Sequence, residues 1–476
     1  MSNSNISDLL RSASAADTAA LKARLVGEVI VEGEPEYESA RQVHNLRFDR
    51  KPAVIVQARG AADVAETVKF ARACNLDLAV RSGGHSAAGL STIDGGLVLD
   101  LSEMRAVTID PAAKTARAQA GATSADLAAP AHAYGLSVST GDTASVGLGG
   151  LITGGGIGWM ARKHGLAIDN LLSAEVVTTD GEILRASATQ HPELFWAIRG
   201  GGGNFGVVTE FELKLRSDGS VYGGVLVLPA TTAVISGYLD YALSAADELT
   251  TIAKVMKAPP APFIPAEFVG QPVLMINVCY AGSGRAGTRA VQPLRRLATP
   301  IGESLSPMPY PVLFDFTAAS AQPGYSAIRS GFADSFSDES LETIVERVAD
   351  AEWPRALVQL RPLGGAIARV SSEATAFAHR ERNFLITVIG SWDASESNPA
   401  AREAWVTGTW AEIRPETHGA FANFLADEGS SRVREAYPGA TYARLACIKS
   451  KYDPENLFRL NQNIRPGSSV AGEQAA

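Results

Sequence analysis

The chain has 476 residues, 46% of them hydrophobic and 7% aromatic, which is enough apolar material for about two or three globular domains. The formal net charge of −9, with no cluster of Lys or Arg, argues against a nucleic-acid partner because a polyanion would be repelled. The polar, Ala-rich N-terminal stretch lacks the apolar core of a signal peptide, and no later stretch approaches the ~18 uninterrupted apolar residues of a membrane span. We therefore expect a soluble, cytoplasmic protein with no membrane partner.

The cysteines and histidines give no sign of a metal centre. Cys74, Cys279 and Cys447 lie far apart and form no CxxC pair, and the seven histidines show neither HExxH nor HxH spacing. We predict three buried thiols and no metal.

The first predicted elements form a β-α-β unit. Residues 52–58 (PAVIVQA) have the β-branched pattern of a strand, residues 61–75 place apolar side chains at helical spacing, and residues 76–80 return to a strand pattern. The Gly-rich turn RSGGHSAAG (81–89) follows, and after it the sequence predicts another strand. A dinucleotide-binding loop of the Rossmann type opens a helix instead, so this turn fails that test.

Two further Gly-rich segments follow along the chain. Residues 141–158 are crowded with small side chains but lack the acidic strand end about 20 residues on that a Rossmann unit needs, since Asp180 stands in an Asp-Gly hairpin turn. Residues 199–206 join the amphipathic helix HPELFWAI to a strand. Glycines can simply permit close packing, but three such segments indicate a long ligand lying across several loops, such as a dinucleotide bound in an extended form.

A change of pattern near residue 218 predicts a second domain. Strand patterns in VYGGVLVLPA, QPVLMINVCYAG, ALVQLRPLGG and FLITVIGSW, with helical patterns between them, indicate an α+β domain. The C-terminal elements are short and polar again, so we expect them to return to the first domain. The predicted domain limits are 1–217, 218–425 and 426–476.

Four motifs in this chain resemble those of the berberine-bridge-enzyme-like branch of the vanillyl-alcohol-oxidase flavoproteins. They are RSGGHS, SVGLGGLITGGGIGWMARKHGLAIDN, HPELFWAIRGGGGNFGVVT and KYDPENLFRLNQNI, and they fall within residues 50–465. The resemblance implies an α+β fold in which a two-part FAD-binding domain carries an inserted substrate domain, an antiparallel sheet covered by helices. It also implies an FAD-dependent oxidase that transfers hydride from a C–H bond of a small alcohol, amine or secondary metabolite to flavin N5, with O2 as acceptor giving hydrogen peroxide.

The resemblance assigns the cofactor to the Gly-rich loops. His85 would bond covalently to the 8α-methyl group of FAD, and a neutral imidazole is a competent nucleophile for that reaction. Arg81 and the backbone N–H groups of residues 82–86 would hold the pyrophosphate. The other cofactor-binding residues that we predict are Ser82, Gly83, Gly84, Ser86, Gly141, Thr143, Ser145, Val146, Gly149, Gly150, Gly154, Gly155, Val207, Val208, Asn461 and Asn463.

The residues at two positions indicate how many covalent bonds hold the flavin and whether it reacts with oxygen. Thr143 stands where doubly tethered members carry a cysteine bonded to flavin C6, so a single tether is expected. Val146 stands where the family has the residue that gates oxygen, and a valine there resembles the oxidases. The hydroxyl of Thr143 would also suit an oxygenase of a secondary metabolite, which stays open as an alternative.

The active-site base cannot be carried over from the family. Plant members have a tyrosine in a YVNY segment and polar or acidic side chains on a substrate-domain strand, whereas this chain reads FANF (421–424) and FLITVIGSW (384–392). Tyr310, Tyr325 and Gln359 are candidate substitutes, although such residues are also common as ordinary packed side chains. Without a base, a flavin-holding protein without turnover stays open as a second alternative.

Overall fold

The computed structural model describes residues 15–396 and 398–467, and in these ranges sixteen strands form three sheets. The strands, numbered in chain order, are Glu28–Ile30 (β1), Val54–Gln57 (β2), Leu78–Arg81 (β3), Leu97–Asp100 (β4), Val107–Asp110 (β5), Thr115–Gln119 (β6), Leu171–Val177 (β7), Ile183–Ser187 (β8), Val207–Lys214 (β9), Ser220–Pro229 (β10), Leu249–Lys257 (β11), Pro272–Tyr280 (β12), Gly302–Pro309 (β13), Tyr325–Ala333 (β14), Ala356–Pro362 (β15) and Phe384–Trp392 (β16). The α-helices are Ala15–Lys22 (α1), Tyr37–Ala40 (α2), Ala61–Ala73 (α3), Ser124–His132 (α4), Leu148–Thr153 (α5), Ala161–His164 (α6), Pro192–Ala197 (α7), Thr232–Ser244 (α8), Gly284–Arg295 (α9), Ala318–Ala321 (α10), Asp338–Asp350 (α11), Ala366–Arg369 (α12), Pro399–Ile413 (α13), Ser430–Ala436 (α14) and Ala440–Tyr452 (α15).

The first sheet places the turn that carries His85. Its strand order is β1-β2-β4-β3, with β2, β4 and β3 parallel and β1 antiparallel to β2. The parallel strands are short apolar runs because both faces of the sheet are covered, one of them by α3. Since β4 lies next to β3, residues 82–96 leave the sheet at the end of β3 and return to it alongside. The prediction of a strand after this turn is confirmed.

The second sheet is antiparallel, with the strand order β5-β6-β9-β7-β8. Its β7–β8 hairpin turns at Gly181, whose φ of +76° favours glycine. Asp180 therefore belongs to a hairpin turn, as the sequence predicts.

The third sheet has seven antiparallel strands in the order β13-β10-β12-β11-β15-β16-β14. Helices α8, α11 and α13 pack on one face through a core that includes Tyr238, Ile344 and Trp410. On the opposite face, Ile252 packs against Trp159 from the segment that follows α5. An antiparallel sheet covered by helices is the arrangement that the resemblance implies, so the predicted α+β fold is confirmed. The domain limits at 217/218 and 425/426 stay a prediction.

A buried lysine ties the C-terminal segment to the third Gly-rich segment. The Lys449 ammonium donates to the Asp453 carboxylate at 2.6 Å and to the backbone carbonyls of Asn204 at 2.7 Å and Phe458 at 2.9 Å. Both side chains of the Lys449–Asp453 pair are fully buried. The Asn204 side chain in turn accepts a hydrogen bond from the N–H of Ile464 at 2.9 Å. The KYDPENLF motif thus holds the last described residues against the loop that follows α7.

Membrane spans, metal clusters and thiols can be assessed over the described ranges. No helix within residues 15–396 and 398–467 is both long and apolar enough to cross a membrane. In the same part of the chain, no group of three His, Cys, Asp or Glu side chains is placed to hold a metal ion. All three cysteines are free, but Cys74, which follows the last residue of α3, is half-buried, and Cys447, within α15, is exposed. The prediction of three buried thiols is therefore wrong for two of them.

Candidate functional site

The first two Gly-rich segments lie in backbone contact. A Cβ atom added to Gly83 would collide with the backbone of Gly147, and one added to Gly147 would collide with the backbone of Gly83. The Ser82 hydroxyl fixes this approach, since it donates to the carbonyl of Ala120 at 2.6 Å and accepts the N–H of Gly149 at 3.3 Å. Glycine is required here because only a backbone without side chains permits so close an approach.

His85 is held between a hydroxyl and a second histidine. Its Nε2 lies 3.0 Å from the Ser145 Oγ, and its ring stacks on that of His44 with centroids 3.7 Å apart. Burial, with a smaller contribution from His44, lowers the pKa of His85 to about 3. The imidazole is therefore neutral at physiological pH, which is the form that can act as a nucleophile.

Arg81 positions the segment that carries His44. Its guanidinium pairs with Asp100 at 2.8 Å and donates to the backbone carbonyls of Ala40 and Gln42, and the side chain is 6% exposed. These contacts occupy the group that we expected to hold the pyrophosphate. A pyrophosphate contact from the Arg81 side chain stays a prediction, and the backbone N–H groups of the turn are the other groups that we expect to bind an anion.

Thr143 and Val146 lie near the start of the second Gly-rich segment. The Thr143 side chain is buried and donates to the Asp142 carboxylate at 3.1 Å. Val146 is half-buried and packs against the core of the first part of the chain. Ser145, between them, joins this segment to His85.

The remaining glycines of this segment face different parts of the protein. Gly141 faces Leu151, whereas Gly154 and Gly155 face the FANF segment and its neighbours. Gly150 is exposed, and a Cβ added there would meet no atom within 4 Å. Ser86 and Gly84, in the first turn, shape the loop itself: the Ser86 hydroxyl accepts the N–H of Leu90 at 3.1 Å, and Gly84 has a φ of +71°.

Val207 and Val208 belong to the protein core. Both side chains are buried in β9, so any cofactor contact from them would have to come from the backbone. Asn461 and Asn463 differ, because the side-chain oxygen of each is buried without a hydrogen-bond partner in the described part of the chain.

Unpartnered polar atoms test whether these residues fit FAD. Buried polar atoms are nearly always satisfied, so the side-chain oxygens of Asn461 and Asn463 and the Nε2 atom of His44 call for a polar ligand or water. FAD offers many hydrogen-bond donors and acceptors for such atoms. The donor set and the glycine-lined contact therefore fit the group that the resemblance implies.

A row of polar side chains that the sequence did not predict crosses the third sheet. Lys254, Gln359, Thr387 and Ser330 stand directly opposite one another on β11, β15, β16 and β14. They lie on the face away from the helices, since their strand neighbours alternate into the helix-covered core. Lys254 is half-buried and the other three are buried, so Lys254 is the least buried residue of this polar row.

An ion pair joins the polar row to the second Gly-rich segment. Arg361, two residues after Gln359, pairs with Asp142 at 2.6 Å and donates from Nε to the Gln359 side-chain oxygen at 2.6 Å. Its guanidinium also lies over the ring of Phe424, 5.2 Å from the centroid. Because Asp142 precedes Thr143, the seven-stranded sheet and the second Gly-rich segment meet at this pair.

Lys254 is the titratable residue of the polar row. Its amine has no hydrogen-bond or ion-pair partner within residues 15–396 and 398–467. Burial lowers its pKa, the carboxylate of Asp142 opposes that shift, and the charge of Arg361 adds to it. A lysine with a lowered pKa is a usable proton acceptor nearer neutral pH than an exposed one.

The three residues predicted from the sequence as candidate bases lie in different surroundings. Tyr310 is fully buried, donates to the carbonyl of Val138 at 3.0 Å and has a pKa raised by burial, so its prediction as a base is wrong. Tyr325 stacks on Trp392 beside the helix-covered core and thus points away from the polar row. Gln359 does lie in the row, but an amide has no basic atom and instead orients Arg361.

Known proteins resemble this chain over most of its length. The family model described as FAD binding domain matches residues 52–187, and that described as berberine and berberine like matches residues 420–465. The (R)-6-hydroxynicotine oxidase of Paenarthrobacter nicotinovorans is 31% identical over 457 residues, covering 93% of this chain and 97% of that protein. The chitooligosaccharide oxidase of Gibberella zeae is 27% identical over 465 residues, covering 91% and 92% of the two chains.

One solved structure extends the likeness to the fold. The crystal structure of 6-hydroxy-D-nicotine oxidase from Arthrobacter nicotinovorans superposes with a TM-score of 0.83 at 27% identity, covering 93% of this chain and 98% of that one. The two ranges matched by family models lie on either side of the seven-stranded sheet in the sequence.

Proposed function

Because the chain belongs to the berberine-bridge-enzyme-like family of FAD-linked oxidoreductases, we propose that it oxidises a small organic molecule at a carbon bearing a hydroxyl or amino group, with O2 as final electron acceptor. The Asp142–Arg361 ion pair carries this proposal, since it brings the cofactor loops and the polar row together. When bound, FAD supplies the two-electron acceptor that takes the hydride.

The chain's own residues supply the rest of the chemistry. We assign to Lys254 the removal of the proton from the substrate's O–H or N–H group, because it is the least buried residue of the polar row and its pKa is lowered. Gln359 and Arg361 hold the charges around that amine in fixed positions, since each is bonded to the other and Arg361 is bonded to Asp142.

A screen for hydrogen peroxide tests the proposed oxidase. The panel contains a tertiary amine such as 6-hydroxynicotine, chitooligosaccharides and aromatic alcohols, because the relatives include oxidases named for the first two classes. We expect one panel class to give peroxide in a one-to-one ratio with oxidised product. Label from ¹⁸O2 appearing in the product would favour the oxygenase, and absence of turnover with rapid binding of FAD would favour the flavin-holding protein.

The covalent tether is tested by His85→Ala. We expect the wild-type protein to stay yellow after acid precipitation, with flavin on the peptide containing His85 and on no cysteine peptide, because Thr143 offers no thiol. The variant should bind FAD only non-covalently and with a lower reduction potential, since the attached imidazole withdraws electron density from the ring. Mass spectrometry of the peptides and a potential titration check both expectations; a cysteinyl adduct would contradict them.

The path of oxygen is tested by Val146→Leu. Val146 is packed against core side chains, so one added methylene has little free space, and overpacking of this kind costs about 1–3 kcal/mol. We expect reoxidation of photoreduced protein by O2 to slow roughly ten- to a hundredfold, with anaerobic reduction by substrate nearly unchanged. Val146→Ala is the matched control and should not slow reoxidation. Equal slowing of both half-reactions would point to general distortion instead.

A further inference from the structure

The hydroxyl of Ser145 lies between a carbonyl oxygen and an imidazole nitrogen, and it has one hydrogen to donate. Its Oγ is 3.0 Å from the backbone carbonyl of Ala321 and 3.0 Å from the Nε2 of His85. A carbonyl oxygen can only accept, so the hydrogen of Ser145 goes to Ala321. The Oγ must then act as acceptor toward His85, and the proton of the imidazole therefore sits on Nε2.

The protonation state of the other ring nitrogen of His85, Nδ1, follows from the same count of hydrogens. A neutral imidazole carries one N–H and one bare nitrogen, and burial keeps this ring neutral. With the proton fixed on Nε2, the lone pair is on Nδ1. His44, stacked on the ring, holds the plane of the imidazole without taking either nitrogen.

We propose that Ser145 is a positioning residue for covalent cofactor attachment, and that its bond to Ala321 selects Nδ1 of His85 as the attacking nitrogen. This inference rests on the proposed tether at His85. It also gives the substrate domain a part in cofactor attachment, because Ala321 ends α10, which lies between β13 and β14 of the third sheet.

The attachment balances in atoms and electrons. The Nδ1 lone pair forms the bond to the 8α carbon, and one C–H bond of that methyl group breaks. Two protons leave, one from the methyl group and one from Nε2, and two electrons remain on the ring system. O2 then takes the two electrons and two protons as hydrogen peroxide. While the N–C bond forms, positive charge grows on the imidazole, and the acceptor at Ser145 stabilises the Nε2–H that carries part of it.

The test follows attachment and not turnover. Full-length protein is produced without flavin, FAD is added, and acid-resistant flavin is measured against time for wild type, Ser145→Ala and Ser145→Thr. Non-covalent binding is measured separately by quenching of FAD fluorescence. We expect Ser145→Ala still to bind FAD, and to convert the bound FAD to acid-resistant flavin about ten- to a hundredfold more slowly than wild type, as the loss of one charge-assisted hydrogen bond implies. Ser145→Thr, which keeps the hydroxyl, should restore the rate.

Two outcomes would overturn the proposal. Attachment by Ser145→Ala at the wild-type rate would mean that the hydroxyl does not prepare the imidazole. Loss of FAD binding by Ser145→Ala, not rescued by Ser145→Thr, would mean that the residue only supports the loop. Acid-resistant flavin in His85→Ala would instead refute the tether itself, so failure of the proposed function and failure of this inference are distinguishable.

Discussion

Lys254→Met should lower kcat/KM for the substrate found by the peroxide screen by about 10²- to 10⁴-fold, the usual contribution of a positioned proton acceptor. Methionine keeps the length and apolar stem of the side chain, so FAD attachment and the thermal midpoint should change little. Lys257→Met is the matched control on the same strand, because that amine is bonded to the carbonyl of Ala351 and its side chain points to the other face of β11. Equal losses in both variants would argue against Lys254 as the proton acceptor.

The pH dependence of kcat/KM also tests the assignment of Lys254 as the proton acceptor. An ammonium cannot accept a proton, so kcat/KM should fall as the pH drops through the pKa of Lys254. Asp142 favours the charged amine and Arg361 disfavours it. Asp142→Asn should therefore move this acidic limb to lower pH, and Arg361→Met should move it to higher pH. In Lys254→Met the limb should disappear.

Lys449→Met should lower the free energy of unfolding by about 3–5 kcal/mol, because it leaves the fully buried Asp453 carboxylate without its counter-ion. It also removes the donor to the carbonyls of Asn204 and Phe458. Lys451→Met, on an exposed position of the same helix, is the control and should change stability by less than about 0.5 kcal/mol. Denaturant unfolding monitored by tryptophan fluorescence measures both.

A double variant separates the ion pair from the packing around it. Replacing both partners by apolar residues, Lys449→Met with Asp453→Leu, removes the unpaired charge and should recover part of the lost stability. A double variant less stable than Lys449→Met would show that the hydrogen bonds that the Asp453 carboxylate accepts from the backbone N–H groups of Leu457 and Phe458 stabilise the fold more than its unpaired charge destabilises it.

The parts of the fold that could be predicted from the sequence are those with a pattern in a few consecutive residues. The β-α-β unit around residues 52–81 follows from apolar spacing within short windows, and the Asp180 hairpin follows from an Asp-Gly pair. Each of these signals is contained in a few consecutive residues.

The polar row could not be predicted because it is a property of register. Lys254, Ser330, Gln359 and Thr387 are separated by up to 133 positions and become neighbours only through the pairing of four strands. Two of those strands, β11 and β14, were not recognised from the sequence, although the apolar alternation of LTTIAKVMK could have revealed the first.

The ion pair of Arg81 was missed for a related reason. An arginine beside a Gly-rich turn suits a phosphate, but Asp100 stands directly opposite it in the parallel pairing of β3 and β4. Tyr310 failed because burial, which the sequence does not report residue by residue, decides whether a phenol can lose its proton.

The surroundings of His85 have a consequence for how the protein matures. Ser145 lies 60 positions beyond His85, and Ala321 lies 176 positions beyond Ser145. Attachment under these conditions requires that three distant segments have docked, so it happens only in molecules that have reached the native arrangement. Because the bond persists after later unfolding or aggregation, acid-resistant flavin per polypeptide becomes a permanent record of folding. In an expression culture, that ratio measures the fraction of chains that folded at least once, whether or not their substrate is known.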